Sequence, residues 1–226
     1  MTFGAIGGAV APIEARLAEL GAIPEGLWWP NAPDLALRYE AFLGPLLPRP
    51  GEGRLALLDV GCGLGFLPDW LAANGWLEAV DYTGLDASAA ILEGARARWP
   101  GLRFVRSEVL RDGVERTHDA VVAIGLFTAR FANSHAEMQA YTEATLEALW
   151  PAASRCLAFN AMSAHVDWQR DDLFHWPTDE VMRFCRARLA RHVSMRADYG
   201  LWENTYHVWR APRREGSAVP RCWSAP

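Results

Sequence analysis

Three glycines and two carboxylates are the residues in this chain whose spacing can do chemistry. In Leu57-Leu58-Asp59-Val60-Gly61-Cys62-Gly63-Leu64-Gly65-Phe66 an apolar strand pattern runs into alternate glycines and then straight into a helix pattern. Glycine is needed there because the backbone must turn sharply and let a ligand approach with no side chain in the way. The free amides at the helix start add polar contacts. A dinucleotide fingerprint is G-x-G-x-x-G, and its third glycine would fall at Phe66, so the loop does not suit a pyrophosphate. Asp86 lies 21 residues after Gly65, at the end of the next apolar run. A carboxylate there can accept hydrogen bonds from both ribose hydroxyls of a nucleoside, or it can simply cap the helix that follows. Glu108 stands just past a third strand pattern, where it can accept from an adenine amine or face solvent.

These residues have to be held by alternating strands and helices. Apolar runs at 55–60, 81–85, 102–105, 119–124 and 156–159 read as strands, and 119–124 is the clearest. Period-3.6 patterns at 66–74, 86–99, 134–150 and 178–184 read as helices, with Ser134 and Thr178 as caps and Pro100 and Pro151 as stops. Asp119 is expected to cap or face solvent at the start of the fourth strand. Segments 192–195 and 203–209, joined through Gly200, read as a closing hairpin. The alternation predicts an α/β fold: a doubly wound, mostly parallel seven-stranded sheet whose last strand is antiparallel. Residues 1–50 form an N-terminal helical cap, 51–210 the core, and 211–226 a polar tail.

Composition removes several alternatives. The chain has 226 residues and no lysine, so all 22 basic residues are arginines. A Schiff-base lysine, a pyridoxal phosphate anchor and a Walker-type phosphate loop are therefore excluded. A net charge of −5 argues against gripping phosphate backbones, and no nucleic-acid partner is expected. Cys62, Cys156, Cys185 and Cys222 form no C-x-x-C pair and no zinc spacing, so they read as reduced thiols of a cytoplasmic protein without a metal site. Glu14, Arg16 and Glu19 break the apolar stretch near the N-terminus, which therefore does not read as a signal peptide. No run of about 18 apolar residues suggests a membrane span.

The strand–glycine–helix–acid pattern resembles the class I S-adenosylmethionine-dependent methyltransferases. Asp59-Val60-Gly61-Cys62-Gly63-Leu64-Gly65 is similar to that family's first motif and Tyr82-Thr83-Gly84-Leu85-Asp86-Ala87-Ser88 to its second. Arg106-Ser107-Glu108-Val109 has Glu where the family usually has Asp. The chain also resembles a group of small bacterial members through Arg38-Tyr39, Phe159-Asn160-Ala161-Met162-Ser163 and Asp198-Tyr199-Gly200-Leu201-Trp202-Glu203-Asn204-Thr205, whereas Ala123-Ile124-Gly125-Leu126-Phe127-Thr128 departs from that group's pattern. The resemblance implies S-adenosyl-L-methionine as cofactor, bound by Arg38, Asp59, Gly61, Cys62, Gly63, Gly65, Asp86, Ala87, Glu108, Val109, Ile124 and Gly125. It gives a reaction type and no acceptor.

Methyl transfer from a sulfonium is an in-line displacement in which positioning is the main task. A hydroxyl acceptor would also need a general base. His165, five residues past Asn160, is the first candidate, followed by His135 and Tyr199. The acceptor should lie beyond the C-terminal strand ends, at a rim of 127–131, 160–168 and the N-terminal cap, against Trp29, Phe127, Asn160 and Trp168, with Trp28 and Trp176 as further aromatic candidates. The expected function is thus methyl transfer to a small molecule. A nicotinamide-dependent oxidoreductase and a non-catalytic S-adenosylmethionine-binding protein are the alternatives. Sequence gives no oligomeric state.

Overall fold

The computed structural model describes residues 7–213. Two helices come first, α1 (Gly7–Leu20) and α2 (Ala32–Leu43), joined through a 3-10 turn at Pro24–Leu27. The alternating core follows: β1 (Leu55–Val60), α3 (Phe66–Ala73), β2 (Val80–Asp86), α4 (Ala89–Arg98), β3 (Arg103–Arg106), α5 (Val109–Asp112), β4 (His118–Ala123), α6 (His135–Leu149) and β5 (Ala153–Ser163). The two-residue β6 (His175–Trp176), α7 (Thr178–Phe184), a π-helical turn at Cys185–Leu189, β7 (His192–Arg196) and β8 (Glu203–Trp209) complete it. The sheet order is β3-β2-β1-β4-β5-β8-β7, with β6 paired to β5. All pairs are parallel except those of β8, which is antiparallel to β5 and β7. The seven main strands and the closing hairpin agree with the sequence pattern, and β6 is the addition.

Successive side chains of a strand point to opposite faces, and here both faces are covered. Leu57, Val122 and Ala158 pack with Phe42 of α2, Leu67 of α3 and Leu92 of α4. Their chain neighbours Leu58, Val121, Leu157 and Phe159 pack with Leu146 of α6 and Val181 of α7. Continuous apolar runs in the strands are the consequence. Helix starts follow their caps. Ser88 Oγ accepts from Ile91 N at 3.1 Å, and Ser134 makes a reciprocal capping box with Glu137. Thr178 is the first residue of α7 rather than its cap, which is Pro177. Asp119 does not face solvent alone. Its Oδ2 accepts from Ala56 N at 2.9 Å, tying β4 to the start of β1.

Of the expected tail, 211–213 are irregular and 214–226, with Cys222, lie outside the described residues. Among the described residues no helix is long and apolar enough to cross a membrane.

Candidate active site

The strand order reverses between β1 and β4, and in an open parallel sheet such a switch point is where a crevice forms beyond the strand ends. The glycine loop leaves β1 there. Gly61, Gly63 and Gly65 all have positive φ, 74°, 56° and 77°, a conformation that other residues adopt only at a cost. Gly61 N and Cys62 N donate to Leu85 O at 2.7 and 3.0 Å, which clamps the loop to the end of β2. Asp86 completes the clamp. Its Oδ2 accepts from Gly63 N at 3.1 Å and its Oδ1 from Ser88 N at 2.9 Å. Each oxygen keeps acceptor capacity for a ligand hydroxyl. Burial pushes the Asp86 carboxyl up from its ordinary value, against the pull of these amides.

A cavity of about 230 Å³ opens above the loop. Its floor includes Gly61, Gly63, Asp86, Ala87, Glu108, Val109, Ile124 and Gly125, and Leu126, Met138 and Tyr141 stand along one side. The Glu108 carboxylate is already ion-paired with Arg111 at 3.1 Å. The roof comes from the N-terminal segment: Ile13, Leu27, Trp28 and Trp29 all line the cavity. Glu14 anchors it by accepting from Ser88 Oγ at 2.5 Å. Leu27 Cδ1 lies only 2.6 Å from where a Gly63 Cβ would be, and the Trp29 ring abuts the corresponding point of Gly125.

Trp28 and Phe131 are the two non-glycine residues of positive φ among the described residues, 65° and 52°. Their rings meet edge-on at 6.3 Å at the cavity. Such conformations cost on the order of 1–3 kcal/mol each and gather at functional sites.

A buried polar cluster adjoins the cavity at Gly125. Asn160 Oδ1 accepts from Gly125 N at 2.7 Å. Arg38 Nε donates to both oxygens of Glu203 at 3.0 and 3.1 Å. Tyr199 and Thr205 share a hydrogen bond of 2.6 Å beside them. Arg38 and Glu203 are 8% and 2% exposed, so this is an ion pair taken out of water. Burial pushes the Glu203 carboxyl up, and the Arg38 guanidinium opposes that.

The expected residues thus divide. Eight of the twelve expected around the cofactor line the cavity, and four do not. Asp59 lies beneath the loop, accepting from Tyr82 Oη at 2.8 Å, and burial holds its carboxyl at about 7. The buried Cys62 Sγ lies 2.8 Å from where a Gly84 Cβ would be, packed with Phe104 against that strand. The absent side chain of Gly65 faces Trp99 and Phe104, so that glycine serves packing. Arg38 is not among the lining residues, and its guanidinium lies 5.1 Å from the Trp29 ring.

The acceptor-side expectations fare differently, because several are core or surface residues. Trp29 lines the cavity. Phe127 is fully buried in the core, and Asn160 belongs to the polar cluster. Trp168 is exposed and packs on Trp202. The three base candidates are also outside the cavity lining. His165 is exposed, with its backbone N–H bonded to Ser163 Oγ. His135 opens α6, hydrogen-bonded to His175 O at 2.9 Å. Tyr199 is engaged with Thr205, and burial pushes its phenol up. Sequence reasoning assigned nothing to Leu27 and gave Glu203 no role of its own, whereas Trp28 and Phe131 line the cavity from the loop and the rim where aromatic contacts were expected. Glu203 had left a signal within the segment 198–205, and a second as a lone acid opening the buried run Asn204-Thr205-Tyr206-His207-Val208-Trp209.

A glycine-lined crevice at the β1/β4 switch point of a β3-β2-β1-β4-β5-β8-β7 sheet is the arrangement of a Rossmann-like fold. The comparisons narrow that class. A profile of the methyltransferase domain matches residues 57–151. The Mycobacterium tuberculosis protein named "Putative methyltransferase Rv1506c" is 35% identical over 155 residues, covering 68% of this chain and 92% of that protein. Magnesium protoporphyrin IX methyltransferase (ChlM) from Synechocystis PCC 6803, solved with bound S-adenosylhomocysteine, aligns with a TM-score of 0.54 at 15% identity, covering 79% of this chain and 81% of that one. The pyocyanin biosynthetic protein PhzM gives a TM-score of 0.56 at 16% identity, over 79% of this chain and 55% of that one. At such identities the solved structures speak for the fold. The chain belongs to the class I S-adenosylmethionine-dependent methyltransferases, and S-adenosyl-L-methionine is its cofactor. The oxidoreductase and non-catalytic readings find no support.

Proposed function

We propose that this methyltransferase acts on a small-molecule acceptor by direct in-line displacement, with residues 1–50 serving as a cap over a core of 51–210. One observation carries the reading: the cavity over the glycine loop is roofed by the chain's own N-terminal segment, which suits a small ligand better than a polymer. The residues fit the cofactor. Positive-φ glycines leave the loop bare, Asp86 has free lone pairs at the end of β2, and apolar side chains line the remainder.

In this reading Asp86 accepts from the ribose hydroxyls and Glu108 from the adenine amine. Gly61, Gly63 and Gly125 expose backbone toward the methionyl portion, and Arg38 meets its carboxylate. The bound cofactor supplies an electrophilic methyl on a sulfonium. Ile13, Leu27, Trp28 and Phe131 exclude water and hold the acceptor in line, a positioning effect that can supply much of the rate. His165, His135 and Tyr199 lie away from the cavity lining. None of these three is placed to take a proton from an acceptor, and the proposed acceptor is one that is already nucleophilic, an anion or a free amine, which needs no deprotonation in the transition state.

Transfer of isotopic label from methyl-labelled S-adenosylmethionine to thiolates, phenolates, carboxylates, amines and neutral alcohols, with protein and nucleic acid alongside, tests this. Label is expected in a small anionic or amine acceptor. Label found only in protein or nucleic acid, or only in neutral alcohols, contradicts it.

A further inference from the structure

Arg38 is a buried charge with an incomplete set of partners. Glu203 engages it through Nε alone, while Nη1 is buried and has no hydrogen-bond partner among the described residues. A buried guanidinium N–H left unpaired costs free energy that an added acceptor would recover. In the structure neither oxygen of Glu203 reaches Nη1, so the acceptor that would complete the set has to come from elsewhere. The guanidinium is planar and rigid, so a partner gripping Nε fixes the direction in which the remaining N–H groups point.

The second observation concerns what lies between Arg38 and the cavity. The Trp29 ring sits over the Arg38 guanidinium at 5.1 Å, and its far edge presses on Gly125. Gly125 N in turn is held by Asn160 Oδ1. Trp29 therefore touches the cavity floor on one side and the polar cluster on the other. The open space of about 230 Å³ is below the roughly 300–1,000 Å³ usual for a ligand site. Leu27 and Trp29 take up room directly over Gly63 and Gly125. A cofactor with its ribose at Asp86 would extend its aminocarboxylate chain toward this occupied end.

We propose that Glu203 is a positioning residue and Trp29 a gate for the cofactor's carboxylate. Glu203 holds the Arg38 guanidinium so that its free N–H groups form a carboxylate subsite. The Trp29 ring must leave Gly125 before a ligand carboxylate reaches that subsite. The inference rests on the reading of the cavity as the cofactor site, and the test separates the two.

The probes are S-adenosylhomocysteine and 5′-methylthioadenosine, which share the adenosine and thioether but differ in the aminocarboxylate. Both are titrated calorimetrically into wild type and Glu203→Gln, and association is followed by stopped-flow fluorescence for wild type and Trp29→Ala. Glu203→Gln is expected to weaken S-adenosylhomocysteine by about tenfold or more, the scale of one misdirected charge-assisted bond, and to leave 5′-methylthioadenosine unchanged. Trp29→Ala is expected to speed S-adenosylhomocysteine association several-fold, because a closed fraction no longer reduces the competent population, again without effect on 5′-methylthioadenosine. If Glu203→Gln weakens both ligands alike, or neither, the positioning role is overturned. If Trp29→Ala leaves association unchanged or slows it, the gate is overturned. If wild type binds neither ligand, the reading of the cavity falls first. Should Glu203→Gln fail to fold, Trp29→Ala, a substitution in a half-exposed loop, still decides the gate. Arg38→Gln, scored by the same ligand ratio, then decides the subsite.

Discussion

Replacing Asp86 with alanine should separate two functions of one carboxylate. In the structure Asp86 accepts from Gly63 N and Ser88 N, and in the proposed reading it also accepts from both ribose hydroxyls. Charge-assisted hydrogen bonds are worth about 1.5–3 kcal/mol each and do not add fully, so losing the ribose pair should cost roughly 2–4 kcal/mol of cofactor affinity. At about 1.4 kcal/mol per decade this is roughly a 30- to 1,000-fold weaker complex. The same substitution orphans two amides at the loop, which should cost a further 1–2 kcal/mol or so of fold stability. Asp86→Asn retains one acceptor oxygen and should lose less of each. Calorimetric titration with S-adenosylhomocysteine reads the first effect, and urea unfolding of the unliganded protein reads the second. The reasoning is refuted if folded Asp86→Ala binds S-adenosylhomocysteine about as well as wild type while its stability drops. The carboxylate would then be a loop clamp and nothing more.

Gly65→Val should destabilise the protein by about 2 kcal/mol or more, because Gly65 has φ of 77° and a side chain would press on Trp99 and Phe104. Affinity measured on the folded fraction should stay near wild type, and selective loss of binding would contradict the packing role. His165→Ala should leave kcat unchanged, since the residue is exposed and outside the cavity lining; a drop of about 10²- to 10⁴-fold would reinstate it as a general base. His207 is fully buried, hydrogen-bonded to Phe42 O at 2.9 Å, and burial lowers its pKa from 6.5 to about 4. Between those values only the unfolded chain takes up the proton, so this contribution is present above about pH 6.5 and is lost as pH falls toward 4, by up to about 3 kcal/mol. Asp59, raised to about 7 by burial, has the opposite slope, with stability falling as pH rises from about 4 to 7. The measurement is therefore the stability difference between wild type and His207→Gln across pH 4.5–7.5, and a difference flat with pH would be the contrary result.

The strands of this protein are legible because most are buried on both faces, and an apolar run such as Ala120-Val121-Val122-Ala123 admits few other readings. The ends of β5 were not. Ser154, Arg155, Asn160 and Ser163 look like loop residues, yet pairing with β4, β8 and β6 draws them into the strand. That Gly63 and Asp86 lie together was legible for a related reason, since a glycine loop between a strand and a helix and an acid ending the next strand meet at one end of a parallel sheet. The aromatic side of the cavity was legible only in outline, because it depends on which aromatic is folded over which loop. Nothing in Leu27-Trp28-Trp29 says that these residues will lie on Gly63 and Gly125. Nothing in Phe131 foretells a positive φ. Phe127, expected at the rim, is drawn inward because the loop after β4 turns it onto Phe159 and Tyr141.

The placement of β8 has a consequence for how the protein is made. This strand, at 203–209 the last in the described chain, sits inside the sheet between β5 and β7, and every one of its residues is buried. During synthesis β5 therefore waits for its neighbour with a row of unpaired backbone groups, the kind of edge that recruits other chains. Arg38 waits as well, because its counter-charge Glu203 opens that same strand. Translation that pauses or stops before residue 203 leaves both an adhesive edge and an uncompensated cation. Insertion of β8 thus completes the sheet and the Arg38 cluster together.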